Sequence, residues 1–248
     1  MDRTKAVISK GDGDPVWVIV PGGTESTEKV AHMALQLAAE KAGVAATGIR
    51  HITATGAGRE YISFADQEAP EFQCLARGIH SILPSTRILL DLGARKSLAV
   101  KCKEGRTLKV ASSSKCASGT GTYIEMVSTI LGVDFVEMTE LALQSKENLT
   151  IQSTCAVFAE SEIISLVHDG VKIEDIIWGV FRGISGRIYP HLLDLGIEQD
   201  ITAVGGVARS KAMILALEEI VGYNINVPEH PEIIGALGAA MIGRDILS

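Results

Sequence analysis

Aromatic residues make up only 4% of this 248-residue chain, and cysteine occurs four times, at positions 74, 102, 116 and 155. No apolar run reaches the roughly twenty residues of a membrane span. Met1-Asp-Arg-Thr-Lys5 lacks the apolar region of a signal peptide, so a cytoplasmic location without membrane association is expected. Without a secretory signal, the cysteines are not read as a disulfide framework. No C-x-x-C spacing occurs, which argues against a complete four-cysteine zinc or iron–sulfur site inside one chain. G-x-G-x-x-G is also absent, which disfavours a Rossmann dinucleotide site. None of the six histidines stands at catalytic spacing from a cysteine or an acid, so Ser/His/Asp and Cys/His nucleophiles are unsupported. A formal net charge of −7 gives no reason to expect nucleic acid as a partner.

What remains is a 46% hydrophobic chain with 25 glycines, long enough for one large core or two small ones. Many small residues and few aromatics suit an α/β protein whose backbone approaches a ligand closely. Residues 5–9 and 16–20 read as a hairpin, 27–42 as a helix, 51–55 as a strand and 71–82 as a helix. A continuous apolar strand over 87–92 follows, then a hairpin over 98–102 and 107–111 around Glu104-Gly105. Helices are expected over 121–131, 137–143, 156–167 and 173–195. A strand over 201–204 runs into Gly205-Gly206, and Ser210 N-caps a helix over 211–221. A short strand over 224–227 precedes a last helix, opened by Pro231 and running through 241. With no flexible linker in sight, two domains packed over a cleft are expected. Their extents are 1–84 and 85–230, with 231–248 as a helix returning to the first.

Several short segments carry possible chemistry. Asp91-Leu-Gly93 ends an apolar strand. An acid there can hold magnesium through water while the glycine admits phosphate oxygens; an ordinary strand-end turn is the other reading. Ala203-Val-Gly-Gly-Val-Ala-Arg209 joins a strand to a helix, and its paired glycines permit close approach of a ring or a phosphate. Gly235-Ala-Leu-Gly238 puts small residues on one helix face, which reads first as close helix packing. Cys116 lies ahead of Gly119-Thr120-Gly121 at a helix start, and Cys155 also stands at a helix mouth. Residue statistics favour buried structural thiols. The alternative is two thiolates that form half of a cluster's ligand set, completed across a two-fold dimer. Cys74 and Cys102, in apolar contexts, read as structural.

Taken together, Cys116-Ala-Ser-Gly-Thr-Gly-Thr-Tyr-Ile-Glu125 and Ser153-Thr-Cys-Ala-Val-Phe-Ala-Glu-Ser-Glu162 resemble two known cysteine segments. These belong to the ATP-dependent activators of 2-hydroxyacyl-CoA dehydratases and the ATP-hydrolysing subunits of benzoyl-CoA reductase. Thr55-Gly-Ala-Gly-Arg59, Cys74-Leu-Ala-Arg-Gly78, Asp91-Leu-Gly93, Gly205-Gly-Val-Ala-Arg-Ser210 and Ile234-Gly-Ala-Leu-Gly-Ala-Ala240 match in family order. The resemblance covers residues 4 to 245. It implies two ribonuclease-H-like, actin-like ATPase domains around a nucleotide cleft. It further implies a 4Fe–4S cluster bridged by Cys116 and Cys155 from each of two subunits, as a homodimer or with a paralogous ATPase subunit. ATP or ADP with Mg²⁺ would occupy the cleft. Asp91, as the catalytic acid, Gly93 and Ser97 would map to a phosphate motif, and Gly205, Gly206 and Arg209 to an adenosine motif. Gly119, Thr120 and Gly121 would lie between cleft and cluster. Electrons would come from a ferredoxin or flavodoxin and pass to a reductase or dehydratase component.

This sequence departs from the family pattern in two places. The family opens with a strand and an Asp-x-Gly-Ser-Thr turn, whereas Thr4-Lys-Ala-Val-Ile8 resembles the segment after that turn. Either the start is truncated or the first phosphate loop is lacking. The second phosphate motif, Asp-Ile-Gly-Gly-Gln-Asp-Ser in the family, reads Asp91-Leu-Gly-Ala-Arg-Lys-Ser97. An arginine there suits tight phosphate binding with poor hydrolysis, a pattern similar to the smaller benzoyl-CoA reductase ATPase subunit. A non-catalytic nucleotide- or cluster-holding subunit and a small-molecule kinase of the same superfamily are the alternatives.

Overall fold

The structure is a computed structural model that describes residues 3–11, 13–112, 119–151 and 156–247, with only the backbone of 156 and 157. Cys116 and Cys155 lie outside these residues.

The central sheet is built from the most apolar strand of the chain. β5 (Ile88–Leu92) is buried at all five positions, because it is covered on both faces and paired on both edges. It runs antiparallel to β6 (Ser97–Lys103) and parallel to β8 (Ile201–Val204). β7 (Arg106–Ser112) and β9 (Ile225–Asn226) complete the order β7-β6-β5-β8-β9. One face packs on the helices α3 (Thr120–Leu131), α4 (Phe135–Ala142), α5 (Ala156–His168), α6 (Ile173–Leu195) and α7 (Lys211–Val221). Leu90 and Leu92 of β5 meet Tyr123, Phe181, Ile184 and Met213 in that core. Leu89, Leu98 and Val100 point the other way, onto Leu75 and Ile79 of α2 (Glu71–Ile82). The period-2 alternation of a strand thus divides its residues between two cores.

The first half is smaller. β1 (Arg3–Ile8) pairs antiparallel with β2 (Val16–Pro21), and α1 (Thr27–Lys41) packs on both through Val30 and Ala34. Two short strands, β3 (Thr53–Ala54) and β4 (Gln67–Glu68), pair in parallel. The last helix, α8 (Ile234–Ile246), lies against α2 and also touches β1 and β3.

Most expected elements form within a few residues of the expected ends, with three differences. The strand expected over 51–55 contracts to β3, and its partner β4 has no sequence signal because two residues carry no periodicity. α4 starts at Phe135, two residues before the expected start, since Asp134 Oδ1 accepts from Val136 N and Glu137 N and so caps the helix there. Pro231 opens a single 3₁₀ turn, after which α8 continues past 241 to Ile246. α6 carries Pro190 inside its 23 residues without ending there.

Candidate functional site

A cleft of about 1510 Å³ runs between the C-terminal end of β5, the Gly205 turn, α8 and the first half. At its base lies Asp91. β5 holds it in register with Leu98 on one side and Val204 on the other, so the residue is only 8% exposed. Burial and the nearby Glu71 carboxylate push its pKa up to about 7, against the opposing pull of Lys5 and Lys96. Among the described residues no hydrogen bond offsets that burial. A buried, unbonded carboxyl in a cleft takes either a proton or a cation.

The glycines around Asp91 are fixed by sterics. Gly205 has φ +89, and a β-carbon on it would lie 2.6 Å from Asp91 Oδ1 and 2.6 Å from Leu92 O. Its N–H donates to Pro231 O at 2.8 Å, which ties the turn to the segment before α8. A β-carbon on Gly93 would come within 3.0 Å of Lys96 O. Gly206 is different: nothing lies within 4 Å of a β-carbon built there, and the position faces the cleft.

Gly119, Thr120 and Gly121 stand directly behind the Gly93 turn. A β-carbon on Gly119 would overlap the Arg95 backbone at 1.9 Å. Gly121 N donates to Gly93 O at 3.1 Å, and Thr122 N to Ala94 O at 3.0 Å. Two of the open N–H groups at the start of α3 are therefore satisfied by the turn rather than left for an anion. The hydroxyls of Ser97 and Thr120, both buried, hydrogen-bond to each other. Arg209 is at the cleft's edge, where it pairs with Glu232 Oε1 at 2.8 Å while its side chain stays 62% exposed.

The structure thus gathers Asp91, Gly93, Gly205, Gly206 and Arg209 along one cleft, with Ser97 and Gly119–Gly121 behind it. Glu71, Lys5 and Lys96 join them and were not singled out in the sequence. Lys96 Nζ forms an ion pair with Glu71. Pro70-Glu71 in sequence reads only as a helix start with a favourable acid in the first turn, so its place beside Asp91 had no local signal. Among the described residues, no three His, Cys, Asp or Glu side chains converge as metal ligands. Cys74 and Cys102 are buried at 0% and 3% exposure, and burial raises both thiols, Cys102 to about 11. That is the state of structural, unreactive cysteines. Among the described residues, no helix is long and apolar enough to cross a membrane.

This arrangement, with an acid and paired glycine turns facing a cleft between two halves, defines an actin-like ATPase architecture. The chain belongs to the BadF/BadG/BcrA/BcrD ATPase family, whose model matches residues 3–243. It is 35% identical over 240 residues to the activator of lactoyl-CoA dehydratase of Anaerotignum propionicum, covering 96% of this chain and 92% of the relative. It is 30% identical over 227 residues to a benzoyl-CoA reductase subunit of Thauera aromatica, covering 87% and 78%. Its fold matches the solved activator of the 2-hydroxyisocaproyl-CoA dehydratase from Clostridium difficile with bound ADPNP. There the TM-score is 0.90 at 32% identity, covering 99% of this chain and 95% of that one.

Proposed function

We propose that the chain couples ATP binding and hydrolysis in the cleft to low-potential electron transfer toward a CoA-ester dehydratase or reductase partner. The observation that carries this reading is the hydrogen bonding of Gly121 N to Gly93 O and of Thr122 N to Ala94 O. It joins the turn suited to phosphate to the helix that follows Cys116 in sequence. α3 and α5, the helices that follow the two cysteines, also pack on each other. A phosphate group that moves the Gly93 turn therefore moves the start of α3.

In this reading each residue has a role. Asp91 is the acid that would hold Mg²⁺, whose charge would offset that of the phosphate groups. Gly93 gives phosphate oxygens access to the backbone, and Ser97 with Thr120 braces the turn from behind. Gly205 and Gly206 admit the adenosine, and Arg209 borders it. The room that glycine leaves at Gly206 fits a planar group. Cys116 and Cys155 from each of two copies supply four thiolates for a 4Fe–4S cluster, which provides a one-electron carrier. The copies form a homodimer or a heterodimer with a paralogue, and a ferredoxin or flavodoxin is the donor. The two units span 1–84 and 85–230, with 231–248 as a helix packed back on the first. Nucleotide drives the change only by binding two arrangements with different affinity.

The test is anaerobic reconstitution with iron and sulfide, read by absorbance and EPR, beside the Cys116→Ala and Cys155→Ala variants. Loss of the cluster signal in both variants is expected, and an unchanged signal in both sinks the cluster assignment. A second reading, a nucleotide-holding subunit that hydrolyses slowly, is favoured by the basic pair Arg95-Lys96 and by the hold of Glu71 on Lys96. ATPase turnover measured alone and with a paralogous subunit separates the two.

A further inference from the structure

The Arg209–Glu232 ion pair at the edge of the cleft is lopsided. Arg209 keeps 62% of its side chain exposed, whereas Glu232 keeps 7%. Glu232 Oε1 accepts from the Arg209 guanidinium at 2.8 Å. Its second oxygen, Oε2, is buried with no hydrogen-bond partner among the described residues. The acid three positions earlier, Glu229, lies in solvent instead, at 89% exposure. Glu232 is held by its backbone. It follows Pro231, whose carbonyl accepts from Gly205 N at 2.8 Å, in the 3₁₀ turn that leads into α8. That turn packs on the 3₁₀ turn over Gly206–Arg209, and both line the cleft. Contacts therefore run in order from Asp91 to Gly205, from Gly205 to the turn that carries Glu232, and from Glu232 to Arg209.

We infer that Glu232 is a ribose-binding residue of the cleft: its second carboxylate oxygen accepts a hydrogen bond from a sugar hydroxyl of the nucleotide. This rests on the nucleotide reading above and adds a residue to it. A buried carboxylate oxygen without a donor is costly, and a ligand O–H removes that cost. Phosphate does not suit the position, because two anions repel at close range. A metal ion gains less at Glu232 than at Asp91, since Arg209 already supplies a positive charge. The order of contacts fits the order of groups in a nucleotide. Phosphates belong at Asp91 and Gly93, and the base in the room left at Gly206 and along Arg209. The ribose lies between them, at the level of Glu232. The last torsion of a glutamate is soft, so the carboxylate can turn an oxygen toward the cleft while it stays beside Arg209. A site built to bond a hydroxyl discriminates against an analogue that lacks it, because the buried group is then left unpaired.

Calorimetric titration of the full chain with ATP, 2′-deoxy-ATP and 3′-deoxy-ATP tests the assignment. The unmodified chain is expected to bind ATP at least about tenfold more tightly than one of the two deoxy nucleotides. In Glu232→Ala that preference is expected to shrink to less than about twofold, because the acceptor is gone for every nucleotide. Arg209→Ala is the control. It leaves the carboxylate in place, so it is expected to weaken all three nucleotides alike and to keep the preference. A Glu232 that only positions Arg209 gives that same pattern in Glu232→Ala, and this outcome overturns the inference. ATP bound by the unmodified chain no more tightly than either deoxy nucleotide also overturns it, while the nucleotide reading stands. Failure of the unmodified chain to bind any of the three defeats that reading and this inference together. Circular dichroism reports whether the variants fold. If Glu232→Ala does not, Glu232→Met, similar in volume and without an acceptor oxygen, carries the same expectation.

Discussion

Gly238 of α8 rests directly on the backbone of Cys74 in α2. A β-carbon on Gly238 would lie 1.7 Å from Cys74 O, and one on Gly78 would lie 2.2 Å from Ile234 O. The two helices therefore cross in backbone contact through reciprocal glycines. Gly238→Ala must push them apart and is expected to cost about 3 kcal/mol or more. Gly235→Ala, whose added carbon would meet only Leu75 Cδ2 at 3.8 Å, is expected to cost less than about 1 kcal/mol. Urea denaturation of the two variants checks the contrast, and equal losses contradict the crossing.

Asp91 makes stability depend on pH in a stated direction. Its pKa in the fold is about 7, against 3.8 as the ordinary value, so between those limits the folded chain holds a proton that the unfolded chain has released. The contribution of Asp91 to stability therefore falls as pH rises from about 4 to about 7, by on the order of a few kcal/mol. Asp91→Asn removes this term, so at pH 8 without divalent cation the variant is expected to be the more stable of the two. Its Mg-ATP binding is expected to be lost. Thermal denaturation at pH 5 and pH 8 with EDTA tests the first point and calorimetry the second.

Gly205 and Gly206 are neighbours with different sensitivities. Gly205→Ala meets Asp91 Oδ1 and Leu92 O at 2.6 Å in a left-handed conformation, so it is expected to destabilise the fold. Gly206→Ala meets nothing within 4 Å and is expected to change stability by less than about 0.5 kcal/mol. Its β-carbon enters the cleft, so ATP affinity is expected to drop at least about tenfold. An unchanged affinity in a fully folded Gly206→Ala chain removes this turn from the nucleotide site.

Ser210 is fully buried at the start of α7, where its Oγ accepts from Met213 N at 3.2 Å and lies 2.9 Å from Thr139 Oγ1. Ser210→Ala loses the cap and the tie to α4 together. A cost of about 1–2 kcal/mol is expected in equilibrium denaturation.

Much of the fold was legible because its signals are local. The unbroken apolar run Ile88-Leu-Leu-Asp-Leu92 announces a strand covered on both faces, and Ser210 announces its helix. β4 escaped notice because two residues have no period to read, and its pairing with β3 is a contact across fourteen positions. The early start of α4 turned on whether Asp134 or a later residue capped it, a choice made by hydrogen-bond geometry. Among site residues, Asp91, Gly93 and Gly205 were visible as an acid and glycines at strand ends. Glu71 was not, since an acid in the first turn of a helix is ordinary until that helix is packed beside another acid.

Composition and pattern by themselves determined an α/β chain, the places of most of its strands and helices, and the glycine turns that ligands can approach. The two cysteine segments also belong to that record, as residues 113–118 and 152–155 lie outside the described structure. Only the tertiary structure decided that Gly93 and Gly121, twenty-eight positions apart, share a hydrogen bond, and that Asp91 is buried beside Glu71. These are long-range relations. They arise when separate elements pack, and packing depends on how side chains far apart in sequence fill one space, which no short stretch of sequence records.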